Sequence, residues 1–322
     1  MRAFHLSAAL ALCLLVLPSC RTAAPRTDSA PVTAATPAAS PQRVEASPES
    51  LRRALAAVRH LHRTMRKPLP GDWLTTFPEP GQTFEEYLRS DPVRPSAERR
   101  TLYVQPLGEF TTAQRRIVAL AADFMSHFFN LPVKLLPEQV IPSIPAEARR
   151  VHPEWGDRQI LAAHITMKVL RPVLPADAVA LIAFTSSDLY PGGDMNYVFG
   201  QASFRERVGV WSLYRLGKPD ADERNFRLTL LRTLKIATHE TGHMFSIKHC
   251  TKYECVMSGT NGLHETDRRP LDACPECMAK ICWATNTSPR ERYARLARFC
   301  EANGLDHERR FFQTSADALK KI

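Results

Sequence analysis

Residues 239–257 read HETGHMFSIKHCTKYECVM, and this stretch decides how the rest of the chain is interpreted. His239 and His243 are four residues apart, so on a helix both imidazoles project from one face and can bind one Zn²⁺. His249 follows six residues after His243, at the spacing of a third zinc ligand. The pattern predicts a catalytic zinc held by these three histidines, with Glu240 as the general base that takes a proton from an attacking water.

Two further positions in this stretch bear on the geometry of the zinc site. The long form of the motif has glycine at the position of Ser246, where the chain turns off the helix towards the third histidine. We expect a left-handed backbone at Ser246, which costs a serine on the order of 1 kcal/mol and which metal binding can offset. Met257 alone would indicate core packing, but its position eight residues after His249 favours a floor beneath the metal.

Four cysteines form two close pairs, Cys250-x4-Cys255 within this stretch and Cys274-x2-Cys277 after it, with 18 residues between the pairs. This spacing is typical of a tetrahedral structural zinc site, which would clamp the loop after the third histidine. Two alternatives stay open. The cysteines form two disulfides, which an exported protein permits, or Cys274 and Cys277 form a redox pair.

The residues around both predicted sites resemble the signature of the archaemetzincins, a family of metzincin-type zinc metallopeptidases. The resemblance is carried by residues 239–257 and by their continuation from Met257 to residue 282, MSGTNGLHETDRRPLDACPECMAKIC. It covers roughly residues 67–299 and includes three shorter stretches, namely YVFGQAS at 197–203, PGDW at 70–73 and PEPGQTFEEYL at 78–88.

This resemblance implies a compact metzincin-like peptidase fold with two zinc ions per chain. The catalytic zinc would be bound by His239, His243 and His249. Glu240 would be the general base and acid, and Met257 would be the Met-turn residue. The second, structural zinc would be bound by Cys250, Cys255, Cys274 and Cys277.

Outside this stretch, apolar patterning predicts strands that alternate with helices. Ala178–Thr185 is a continuous apolar run, which is typical of a buried central strand, and Arg224–Ser246 is predicted to be one long helix. We expect an α/β (α+β) fold with a mixed twisted sheet, this long active-site helix and a C-terminal part that binds zinc through four cysteines. Further strands are predicted at Thr101–Pro106, Leu131–Leu136, Tyr197–Phe204 and Arg207–Tyr214, and further helices at Ser50–Met65, Thr83–Leu88, Thr112–Phe129, Arg158–Leu170, Pro289–Glu301 and His307–Leu319.

The beginning of the chain is interpreted as an export signal and a tether. Residues 1–19 have the pattern of a lipoprotein-type signal peptide, and their apolar run of 11 residues, Ser7–Leu17, is too short to span a bilayer as a helix. Residues 17–20, LPSC, resemble the lipoprotein box, so Cys20 is the predicted lipidation site; an ordinary signal peptide with a free Cys20 is the alternative. Residues 20–48 are rich in Ala, Pro, Ser and Thr and predict a disordered tether. We therefore expect the protein to be exported and lipid-anchored to the bacterial cell envelope, on the periplasmic side or at the cell surface.

The composition and net charge of the full sequence exclude several classes of protein. With 44% hydrophobic and 24% charged residues, a collagen-like, coiled-coil or mostly disordered chain is excluded. The 43 Lys and Arg against 33 Asp and Glu give a net charge of +10 without a block of like charges, so no nucleic-acid partner is expected. We divide the chain into a helical, Pro-rich N-terminal extension (49–95), an archaemetzincin-like metallopeptidase domain (96–305) and a C-terminal helix (306–322).

The function predicted from the sequence is that of a zinc metallopeptidase that hydrolyses peptide bonds in peptides or proteins. The alternative from another class is a catalytically weak or inactive zinc-bound peptide-binding module of the cell envelope. A third interpretation is a hydrolase of another bond, such as an amide in the envelope. A peptide substrate could add as a strand to the exposed edge at Tyr197–Ser203, with Tyr190, Tyr197 and His264 as polar candidates near the cleft.

Overall fold

The computed structural model describes residues 46–193, 195–203 and 205–321. The predicted signal peptide, the predicted lipidation site Cys20 and residues 20–45 of the predicted tether lie outside these residues. Within the described part of the chain, no helix combines the length and the apolar character that crossing a membrane requires.

Helices and strands are interspersed along the described chain, but four strands follow one another between residues 178 and 212 and five helices between residues 223 and 318. The strands are β1 Thr101–Leu107, β2 Val133–Leu135, β3 Arg149–Val151, β4 Arg158–Leu161, β5 Ala178–Thr185, β6 Asp188–Tyr190, β7 Gly200–Ser203 and β8 Val208–Ser212. The helices are α1 Pro48–Val58, α2 Trp73–Thr76, α3 Phe84–Arg89, α4 Thr112–Phe129, α5 Ala162–His164, α6 Glu223–Met244, α7 Leu263–Arg268, α8 Pro275–Thr285, α9 Pro289–Ala302 and α10 Asp306–Ala318.

The main sheet has five strands in the order β2-β1-β5-β8-β7. The first four are parallel, and β7 pairs antiparallel with β8 at one edge. All eight residues of β5 are buried, which confirms the central strand predicted from its apolar run. With helices packed around this mixed sheet, the α/β class is confirmed.

A second sheet of three strands, in the order β3-β4-β6, corrects one prediction. The helix predicted over Arg158–Leu170 is wrong in its first four residues, because these form strand β4 and helical structure begins only at Ala162. Gln159 pairs with Asp188 of β6, and its side-chain amide donates to the Asp188 carboxylate at 2.8 Å. Pairing with a distant strand therefore overrides the local helical pattern.

The long helix α6 carries the first two histidines of the decisive stretch. It begins after Asp222, whose side chain accepts a hydrogen bond from the Asn225 N–H at 2.7 Å. Leu230, Leu234 and Ala237 are fully buried, and the helix packs against α4 and against strands β7 and β8. The last two turns of α6 therefore lie beside the edge strand of the main sheet.

A segment of the N-terminal extension lies against helices α7 and α8. We call residues 67–84 the strap. The backbone N–H of Trp73 donates to the Glu265 carboxylate at 2.9 Å, and the N–H of Phe84 donates to Glu276 at 2.8 Å. Two buried carboxylates that follow the decisive stretch in sequence thus fasten the strap.

Candidate metal centre and active site

The structure brings His239, His243 and His249 together. The first two lie on the last turns of α6, and the chain then turns back so that the third faces them. One nitrogen from each ring lies within 4.8 Å of the others, and the Nε2 atoms of His239 and His243 are 3.0 Å apart. Zinc–nitrogen bonds of about 2.0–2.1 Å in a tetrahedral site require nitrogen atoms about 3.3 Å apart. The three histidines therefore fit a zinc ion.

The second nitrogen of each histidine ring is held by an acceptor. His239 Nδ1–H donates to the Val256 carbonyl at 2.8 Å, and His243 Nδ1–H donates to the Ile247 carbonyl at 2.6 Å. A carbonyl oxygen only accepts, so each Nδ1 carries the proton and each Nε2 presents a lone pair. That tautomer is the one a metal-binding imidazole needs.

Burial also keeps the imidazoles of α6 neutral. Desolvation lowers the pKa of His239 well below its ordinary value of 6.5 and lowers the pKa of His243 to about 4. The neighbouring imidazoles reinforce both shifts. Neutral rings at physiological pH are what metal coordination requires.

The turn between the second and third histidines has the predicted left-handed conformation at Ser246, with φ +64°. Its hydroxyl accepts a hydrogen bond from the Val93 N–H at 3.1 Å. Gln82 of the strap braces the same turn, since its side-chain oxygen accepts from the Lys248 N–H at 3.2 Å. These contacts explain how a serine occupies the position where the long motif has glycine.

Met257, predicted to lie beneath the metal, packs against the helix that carries the first two histidines. It is fully buried, and its carbonyl accepts from the Cys250 N–H at 2.8 Å. A Cβ atom at Gly242 would lie 2.5 Å from the Met257 sulfur, so the methionine packs directly against α6 between the two histidines. The close approach also explains why position 242 has no side chain.

The four cysteines predicted to bind the second zinc converge as well. Their sulfur atoms lie within 4.8 Å of one another, and those of Cys250 and Cys274 are 3.5 Å apart. A tetrahedral site with zinc–sulfur bonds of about 2.3 Å requires sulfur atoms about 3.8 Å apart, whereas a disulfide bond is about 2.05 Å long. The described cysteines are all free, so this geometry fits a metal-binding set rather than two disulfides. The backbone N–H of Cys274 donates to Cys255 Sγ at 3.1 Å, which ties the second cysteine pair to the first.

Comparison with known proteins agrees with this geometry. Residues 128–282 match the model of peptidase family M54. Human archaemetzincin-2 is 35% identical over 269 residues, which cover 74% of this chain and 74% of the human protein. The chain belongs to the archaemetzincin family of zinc metallopeptidases.

Other archaemetzincins are also similar. Human archaemetzincin-1 is 29% identical over 262 residues, which cover 72% of this chain and 52% of that protein. A crystal structure of an archaemetzincin from Methanopyrus kandleri is 28% identical with a TM-score of 0.46, and it covers 59% of this chain and 97% of that one.

The histidines border a cavity of about 350 Å³ between α6 and the edge strand β7. Glu240 lines this cavity, and no hydrogen bond to its carboxylate is found within the described residues. Burial raises the pKa of Glu240 to about 7. Gly200 of β7 faces it, since a Cβ atom there would lie 3.2 Å from Glu240 Cγ. The Glu240 carboxylate therefore lies next to the histidines without a hydrogen bond from any described residue.

Of the three polar candidates near the cleft, the structure places one in it. Tyr197 lines the cavity together with Gly200 and Gln201 of β7. Tyr190 is buried with the Arg150 guanidinium over its ring, and His264 accepts a hydrogen bond from Arg268 at 2.7 Å. Tyr190 and His264 do not line the cavity.

Sequence reasoning missed two residues that contact the third histidine. The Glu79 carboxylate accepts from His249 Nδ1–H at 2.8 and 3.0 Å, and the ring of Trp73 meets the His249 ring edge-on at 5.2 Å between centroids. Both belong to the strap, within PGDW and PEPGQTFEEYL. These stretches resemble the family, but nothing in their residues predicts a contact with His249.

Proposed function

We propose that this archaemetzincin hydrolyses peptide bonds at the three-histidine site with Glu240 as the general base. The observation that carries the proposal is the convergence of three Nε2-presenting imidazoles beside a carboxylate without a hydrogen-bond partner among the described residues. His239, His243 and His249 would hold the catalytic zinc, which when bound supplies a Lewis acid for the peptide carbonyl and an acidified water.

Proton transfer and the orientation of the imidazoles are assigned to residues of the chain itself. Glu240 accepts a proton from the attacking water and then donates it to the leaving amine, a role that requires an unengaged carboxylate. Val256 and Ile247 hold two imidazoles through their carbonyl groups, so these rings do not rotate during the reaction. Gly200 leaves room for the Glu240 side chain.

The four cysteines would hold a second, structural zinc. Cys250 directly follows His249 in the sequence, and its N–H is bonded to the Met257 carbonyl. A metal on Cys250, Cys255, Cys274 and Cys277 would thereby fix both the third histidine and the Met-turn. This arrangement supports two zinc ions per chain.

A peptide substrate would add as a strand along β7. This strand ends the sheet order, so one of its edges has no strand partner among the described residues, and Gly200, Gln201 and Ala202 line the cavity. Main-chain hydrogen bonds to such an edge bind an extended peptide without regard to its sequence. Side-chain preference would then come from the cavity walls.

A lipid anchor on the bacterial cell envelope is the setting that we propose for this reaction. Its support is the sequence alone: the signal-like residues 1–19, Cys20 in a lipoprotein-like box, and the Pro- and Ala-rich residues 20–48. Such a tether would let the peptidase domain act at a distance from the membrane.

Digestion of a mixed peptide library, followed by mass spectrometry, tests this function. We expect the parent chain to produce new peptide ends, and Glu240→Gln to lower the rate by about 10²–10⁴-fold. Glu301→Gln, at an exposed position on α9, is the matched control and should cleave like the parent. Cleavage by Glu240→Gln at the parent rate would contradict the mechanism. Peptide binding without any products would instead support the inactive binding module.

A further inference from the structure

The three imidazoles of the metal centre are not held in the same way. His239 and His243 are held by backbone carbonyl groups that lie within 17 positions of them in the sequence. His249 is held by the carboxylate of Glu79, which lies 170 positions earlier. It is the one ligand that does not lie on α6, so nothing in the helix fixes the orientation of its ring.

Glu79 is itself held in place. The indole N–H of Trp73 donates to the same carboxylate at 2.8 Å, and the Trp73 backbone N–H is bonded to Glu265. The Trp73 ring lies so close to Gly259 that a Cβ atom there would be 2.4 Å from it. The position of the Glu79 carboxylate is therefore fixed by Trp73 as well as by His249.

The pair is also partly shielded from water. The side chains are 17% exposed for His249 and 28% exposed for Glu79. Partial desolvation strengthens a hydrogen bond between an imidazole N–H and a carboxylate. A carboxylate partner fixes the tautomer and raises the basicity of the opposite nitrogen more than a neutral carbonyl does.

We propose that Glu79 is a positioning residue of the catalytic metal site, which makes the N-terminal strap part of the metal centre. The inference rests on the proposed function, since it takes His249 as the third ligand. The residues that match the family model begin at position 128, so this contribution lies outside them. Glu79 acts through His249 and does not itself touch the metal or the substrate.

Metal affinity, measured separately for the two sites, tests this role without relying on activity. The full chain is stripped of metal and titrated with Zn²⁺ against a competing chelator. A parallel titration with Co²⁺ distinguishes the thiolate site from the histidine site by absorption. We expect Glu79→Ala to weaken binding at the histidine site by about 10–100-fold. Glu79→Gln, which keeps the shape and an acceptor oxygen, should weaken it less, and the cysteine site should keep its affinity in both variants.

Matched variants keep the result interpretable. Glu85→Gln removes a carboxylate six positions away that pairs with Arg52 on the surface, and it should bind metal like the parent. Trp73→Phe removes the indole N–H that steadies Glu79, and it should lower affinity at the histidine site by less than Glu79→Ala. Parent-like affinity in Glu79→Ala, or equal weakening of the two sites, would overturn the assignment.

The two proposals fail in different ways. If the parent binds metal at both sites and Glu79→Ala loses affinity only at the histidines, but no peptide is cleaved, the proposed function fails and the role of Glu79 stands. If the parent cleaves peptides and Glu79→Ala keeps its affinity, the role of Glu79 fails and the function stands.

Discussion

The hydroxyl of Ser246 accepts a hydrogen bond from the backbone N–H of Val93, at 3.1 Å and across 153 positions of sequence. The serine lies at the left-handed turn between the second and third histidines, with φ +64°. A side chain at this point makes a contact that glycine cannot make. The free energy of this hydrogen bond offsets part of the backbone strain that a residue with a side chain has in the left-handed conformation.

Substitutions at Ser246 should separate these two effects. Ser246→Gly removes about 1–2 kcal/mol of backbone strain and loses a hydrogen bond of about 0.5–1.5 kcal/mol, so its free energy of unfolding should stay within about 1 kcal/mol of the parent. Ser246→Ala keeps the strain and loses the bond, so it should be less stable by about 0.5–1.5 kcal/mol. Urea unfolding of the zinc-loaded proteins measures both. A glycine variant less stable than the alanine variant would contradict the proposed balance of strain and hydrogen bonding.

The close contact between α6 and Met257 gives a second prediction. In Gly242→Ala the new methyl group would lie 2.5 Å from the Met257 sulfur. Overpacking of about 1–3 kcal/mol opposes a gain in helix propensity of about 1 kcal/mol, so we expect net destabilisation of up to about 2 kcal/mol.

A double-mutant cycle shows whether Met257 is the cause of that destabilisation. In a Met257→Ala background, Gly242→Ala should lose most of its cost, because the clashing side chain is gone. Thermal unfolding of the four proteins gives the coupling. An equal cost in both backgrounds would mean that the methyl group meets some other part of the structure.

The local parts of the metal centre could be predicted from sequence, and the distant parts could not. The convergence of His239, His243 and His249 follows from their spacing on one helix and its exit, and the two short cysteine pairs follow from the sequence directly. The spacing between the two histidines on α6, and the spacing within each cysteine pair, covers only a few residues, where backbone geometry limits the distances. The left-handed turn at Ser246 could be predicted for the same reason.

Contacts between residues that are far apart in the sequence could not be predicted from local spacing. No periodicity connects Glu79 with His249, or Val93 with Ser246, because the fold alone brings these pairs together. The helix predicted at Arg158–Leu161 is wrong for the same reason, because these residues form a strand that pairs with the distant β6. Long elements with continuous patterns, such as β5 and α6, could be predicted because their burial is visible in their own residues.

A partly buried histidine outside the metal centre, His62, gives a pH-dependent prediction. Burial lowers the pKa of His62 below its ordinary value of 6.5, and the nearby Arg292 adds to the shift while Asp272 opposes it. Below about pH 6.5 the unfolded chain therefore binds this proton more readily than the folded chain, so stability falls as the pH falls. In His62→Gln that contribution is absent, so the stability of the parent relative to this variant should decrease between pH 7.5 and pH 5. Urea unfolding at several pH values measures the difference. A parent that gains stability relative to the variant towards low pH would mean that the pKa of His62 is raised by folding, contrary to the effect of burial.

Metal and thiol counts test the two-zinc arrangement. The purified chain should contain about two zinc ions, and the four converging thiols should react only after denaturation in the presence of a chelator. Cys255→Ser should lose one zinc and unfold at a lower temperature, because binding at a structural site contributes directly to folding. Cys300→Ser is the control, since Cys300 is a buried free cysteine outside the cluster, and it should keep both metals. One zinc with four oxidised cysteines would instead mean that disulfides replace the structural metal, and the clamp on the loop after His249 would then be covalent.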